Sequence, residues 1–183
     1  MGKFAKGWIT LALVGLVGVV AVSFRPGSGA AESADTFHVV WNDSFADVAG
    51  LTRAADLVII GTVQTSTVEM VHDLPFTNYV IKVDRVISGA SVDEVTVRET
   101  GGVVGNRVRQ ADDDPMMQSG AREVLFLRKS GDGNPWYWVV GGPQGRFHSM
   151  GGRIQPVDPT RSVQRAQAGV DEQALVDQVR SLH

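Results

Sequence analysis

The chain has 183 residues, with 17 Lys+Arg against 20 Asp+Glu, a formal net charge of −3 and no cysteine. That length fits one domain with appendages, and the missing cysteine excludes disulfides, thiolate metal sites and a cysteine nucleophile. Lys3, Lys6 and Arg25 all precede the outward part of the chain; the remainder is therefore more acidic still and repels phosphate backbones, which excludes nucleic acid as the expected partner.

Lys3 and Lys6 come before an uncharged, Leu- and Val-rich run from Trp8 to Phe24. This is the order of the positive and apolar regions of an export signal. Residues 1–31 are therefore expected to be a signal peptide or membrane anchor. Small residues at Ser28-Gly29-Ala30-Ala31 suit cleavage. The apolar run is also close to the lower limit of about 17 residues that crosses a bilayer, so residues 8–24 would hold the chain in the membrane if the leader is retained. Because positive charge stays inside, everything after Arg25 is expected to face outward, either secreted or anchored to the cytoplasmic membrane. Residues 32–36 close a Gly-, Ser- and Ala-rich acidic stretch and read as a flexible spacer.

A domain is expected from residue 37 onward. Ser44 with Asp47 three residues on resembles a capping box, and Phe45, Val48, Thr52 and Ala55 fall on one helical face. A short helix over 45–55 follows. Leu57 to Val63 is a β-branched run broken by Gly61, the pattern of a strand with a bulge or bend. From Thr77 to Ile87 the residues alternate, Tyr79, Ile81 and Val83 opposing Asn78, Lys82 and Asp84, which predicts a half-buried strand. Ser88-Gly89-Ala90 supplies a turn into a strand carrying Val95 and Val97, so three antiparallel strands form a meander. Gly101 to Gly120 is polar, contains Gly and carries Asp112-Asp113-Asp114-Pro115. It reads as a long surface loop, and loops of that length are often functional. Glu123 to Lys129 encloses four consecutive apolar residues, the mark of a strand buried on both faces. Gly131-Asp132-Gly133-Asn134 then turns into Trp136-Tyr137-Trp138-Val139-Val140 as a hairpin. Short strands are expected around Arg146-Phe147-His148 and Arg153-Ile154. A connector containing Pro156 and Pro159 follows to Gly169. Last comes a helix capped by Asp171 with Leu175, Val179 and Leu182 as its stripe.

The segments Ala55–Val63, Phe76–Tyr79, Ser88-Gly89, Gly120–Leu127 and Val139–Phe147 together resemble a family of uncharacterised bacterial exported domains, and these in turn resemble the OB-type barrel of netrin and TIMP modules. The resemblance covers residues 55 to 150 and implies a mainly β fold: a small OB-like antiparallel barrel over 37–155. A short helix would precede its first strand, and a connector and C-terminal helix would occupy 156–183. The N-terminal apolar helix would precede the whole. Two departures from the family cadence are Ser88, where Lys is frequent, and Arg122 ahead of Glu123. TIMP-type inhibition reaches a zinc ion through an N-terminal cysteine, and no residue here can take that role.

Candidate chemistry is sparse. The four histidines show neither His-x-His nor His-Glu-x-x-His spacing, and the Asp112–Asp114 run lacks the alternate acidic positions of an EF-hand, so no metal site and no cofactor are expected. Ser149 lacks the preceding glycine of a nucleophile elbow. Trp136 and Trp138 share one strand face and can stack on a ligand, as OB barrels do with oligosaccharides. The expected function is therefore a non-enzymatic extracytoplasmic binding module for a protein partner at the cell envelope. Asp112, Asp113, Asp114, Trp136 and Trp138 are its candidate contacts. The alternatives are a protease inhibitor of TIMP-like fold and a cell-wall glycan-binding module.

Overall fold

The computed structural model describes residues 35–131 and 133–182, so the expected leader, the expected apolar helix and most of the expected spacer lie outside the described residues. The fold is mainly β. Helix α1 (Val48–Ala54) leads into strand β2 (Leu57–Val71), which hairpins into β3 (Leu74–Ser88) and then β4 (Glu94–Val104). A short first strand, β1 (Asp35–Phe37), pairs in parallel with β5 (Arg107–Ala111). Asp35 and Thr36, placed in the expected spacer, thus belong to β1. Strand β6 (Arg122–Lys129), β7 (Trp136–Val139), β8 (Arg146–Met150) and β9 (Arg153–Pro156) follow. Helices α2 (Ser162–Gln167) and α3 (Glu172–Arg180) complete the chain.

Strands β2, β3 and β4 form the expected meander. β6 pairs with β2 on one side and with β7 on the other, and β7 returns to lie parallel to β4. These five strands close on themselves as a ring. Pairing is antiparallel except at β1–β5 and β4–β7, which are parallel.

Period-2 alternation in β2 and β6 divides the core into two layers. Leu57, Ile59, Leu125 and Leu127 point into the ring beside Tyr79, Ile81, Val95 and Val97. Val58, Ile60, Val124 and Phe126 point outward. There Phe147, Ile154, Val163, Leu175, Val176 and Val179 cover them. Both faces of β6 are thus buried, as its unbroken apolar run predicts. The register of β2 on β3 shifts between Ile60 and Gly61. A Cβ at Gly61 would meet Ile81 Cγ2 at 2.6 Å, so glycine lets the two backbones approach at the bulge.

Four local expectations are revised. Asp47, not Ser44, caps α1, its side chain accepting from Gly50 N at 2.7 Å. Residues 101–111 are not loop: β4 continues to Val104 and turns into β5. The connector contains α2, held by Gln164, whose fully buried amide donates to the carbonyls of Pro143, Gln144 and Arg146 at 2.8 to 3.0 Å. In the C-terminal helix Leu175 and Val179 dock as expected, with Asp171 as cap, while Leu182 is exposed.

Candidate functional site

Arg146 opens β8 opposite Leu125, whose side chain lies inside the ring, and Arg146 is itself fully buried. Around it stand Glu99 of β4 at 3.7 Å and Asp114 at 2.7 Å, and the same guanidinium donates to the Pro115 carbonyl. Tyr79 and Glu123 complete the cluster. Burial works against the arginine's charge, but the surrounding carboxyls of Glu99, Asp114 and Glu123 hold it firmly protonated. Burial pushes both Glu99 and Asp114 upward, Glu99 to about 8. Asp114 makes the close hydrogen bond to Arg146, which opposes its rise, whereas Glu99 keeps its proton at neutral pH. Among the described residues Glu99 Oε1 and Arg146 Nε and Nη1 find no hydrogen-bond partner, the 3.7 Å ion pair between Nε and Oε1 being too long for one.

This buried pair pins residues 112–117 across one end of the ring, with Met117 packed into the inner core. The three aspartates therefore have separate duties. Asp112 sits at the surface 3.2 Å from His38 Nδ1. Asp113 accepts from Trp41 Nε1 at 3.0 Å and from Arg161 Nη2 at 2.5 Å. Asp114 is enclosed against Arg146.

Asp113 brings Trp41 to Trp138. The two indoles line an open groove of about 300 Å³, floored by Val139, Val140, Gly141 and Gly142 and rimmed by Asp43 and Arg128. A narrower recess of about 30 Å³ runs from the same indoles toward Glu99 and Asp114. Trp138 is fixed edge-on by Phe76, with ring centroids 6.2 Å apart. Trp136 does not line the groove. Its ring lies 4.7 Å from the Arg98 guanidinium, which also sits over Phe76 at 4.8 Å and pairs with Glu69 at 2.8 Å. The expected tryptophan face thus divides: Trp136 stacks on Arg98 and lines a separate pocket with Pro135 and Tyr137, and Trp138 borders the groove. No protein-family model and no curated protein matches this chain.

A second cleft, of about 610 Å³, opens on the other side of the pinned segment. Pro115, Met116, Gln118, Arg122, Glu123, His148, Ser149 and Met150 are among its lining. Glu123 and His148 are direct cross-strand neighbours. Nδ1 of the half-exposed imidazole lies 3.0 Å from both oxygens of the fully buried carboxylate. Arg122 is bound by Glu172 and by Asp84, and Ser149 donates to Glu172 as well. Ser149 is thereby committed to a structural ion pair. The His148–Glu123 pair has no motif in the sequence; only the alternation of β6 against β8 could have signalled it.

Proposed function

We propose that this protein is a non-enzymatic extracytoplasmic binding module that docks an extended segment of a protein partner at the cell envelope in the Trp41/Trp138 groove. Five strands closing with one parallel pair support reading the ring as an OB-type barrel, an architecture that presents one face to extended ligands. The leader's charge order supports the outward placement. The observation that carries the reading is the fixing of both indoles, Trp41 by Asp113 and Trp138 by Phe76. Anchoring aromatics that are immobilised beforehand lose little side-chain entropy on binding. An apolar floor with Asp43 and Arg128 at the rim has the core-and-rim anatomy of a protein interface.

The same two indoles favour one other ligand class, cell-wall glycan, because sugar faces stack on them. Two measurements separate the readings. Cross-linked capture from the native envelope with the full chain is expected to retain a partner that Trp138→Ala loses, with no change in tryptophan emission on adding wall fragments. An emission shift with wall fragments, abolished in Trp138→Ala, would assign the groove to glycan. A partner retained equally by Trp138→Ala would remove the groove from the function.

A further inference from the structure

The cleft beside the pinned segment combines two features that point the same way. First, His148 is an oriented ligand. The buried Glu123 carboxylate faces Nδ1 at 3.0 Å, and the tautomer that donates Nδ1–H to it leaves Nε2 as the ring's open donor atom for a metal at this cleft. Metal-binding histidines are held in this way by a carboxylate behind the ring. Second, two thioethers line the same space, from Met116 and Met150. His148 and Met150 lie two residues apart on β8, so their side chains leave the same face of the strand, about 7 Å apart along it. Met116 comes from a different part of the chain, next to Asp114 and Pro115, which Arg146 holds.

One nitrogen and two thioethers are soft to borderline donors, and thioethers select monovalent copper over hard cations. Hard divalent ions need several oxygens. The cleft's inward carboxylate, Glu123, is already committed to His148, and among the described residues no cluster of three or more His, Cys, Asp and Glu could hold a metal. The Arg122 charge is matched by Glu172 and Asp84, so it does not oppose a monovalent cation. We propose that this cleft binds one Cu(I) ion through His148 Nε2 and the sulfurs of Met116 and Met150.

The test is an anaerobic titration of the full-length chain with Cu(I) against a chromophoric Cu(I) chelator. One ion per chain should be withdrawn from the chelator. His148→Gln, whose amide can still donate to Glu123, and Met150→Leu, at a position 66 % exposed, should both fold and each weaken binding at least about tenfold. Met70→Leu, at an exposed methionine outside the cleft, should bind as the parent does. In a parallel titration with Ag(I), the methyl resonances of Met116 and Met150 should shift and that of Met70 should not. Copper left wholly with the chelator, or either cleft variant binding like the parent, overturns the proposal.

Discussion

Glu99 keeps a proton that the same side chain would release in an unfolded chain. Its carboxyl is buried beside an arginine already matched by Asp114, and its pKa is raised from 4.5 to about 8. A raised carboxyl pKa means the folded state binds the proton more tightly. The resulting stability is fully present below the unfolded value and is lost as pH climbs from 4.5 through 8, with a slope of at most about 1.4 kcal/mol per pH unit. Glu172 and Asp158 act in the opposite sense. Burial raises each, but hydrogen bonds from Arg122 and Ser149, and from Thr160 and Arg161, hold both below their ordinary values. Their contribution is present above the unfolded pKa and disappears as pH falls through the folded one. Glu99→Gln keeps the shape and the neutral state, so its urea midpoint should decline less than the parent's between about pH 5 and 8. Parallel declines in parent and variant would show that Glu99 does not hold the proton. The sequence could not indicate this group. Glu99 reads as the polar end of a strand, and only the ring brings Arg146 and Asp114 to it.

At the level of elements, the groove depends on the Gly141–Gly142 turn after β7. Gly142 has φ +58°, and a Cβ there would stand 2.5 Å from Trp41 Cε3. Gly142→Ala should therefore cost about 1–3 kcal/mol in chemical denaturation and push Trp41 off the floor, raising acrylamide quenching of its fluorescence. Unchanged quenching would mean that Trp41 is not seated against this turn. Glycine also explains what was legible and what was not. The strands β2, β3 and β6 declare themselves through a β-branched run, alternation and an unbroken apolar run respectively, and Gly61 correctly signals a bulge. Gly101-Gly102 reads as a breaker, yet β4 runs through it. At Gly102 a Cβ would meet Val68 Cγ1 at 2.8 Å, so the glycine marks a crossing of strands and not an end. Helix α2 carries no apolar stripe and follows two prolines; one core residue, Val163, and the buried amide of Gln164 hold it in place. Trp138 could be picked out as a candidate contact, whereas Trp41 is brought beside it by Asp113, 72 positions away.

Across the whole molecule, stability is unevenly distributed. Ring strands carry fully buried residues at Val58–Ile60 and Val124–Leu127, while residues 64–70 of β2 are exposed beyond the ring. Amide exchange should therefore be slowest at Ile59, Ile60, Leu125 and Phe126, opening only with global unfolding, and faster along residues 65–70 of β2. Uniform protection along β2 would show that the outer hairpin belongs to the same cooperative unit. The Arg146 cluster adds a kinetic consequence. Its members come from β3, β4, β6, β8 and the 112–117 segment, so the charges find one another only after the most distant strands have met. A half-assembled chain that shed water from Arg146 early would strand a bare cation in an apolar interior, at a cost of several kcal/mol. Collapse with misaligned strands is thereby penalised, and the cluster works as a checkpoint late in folding, closing only when the strands stand in their native register.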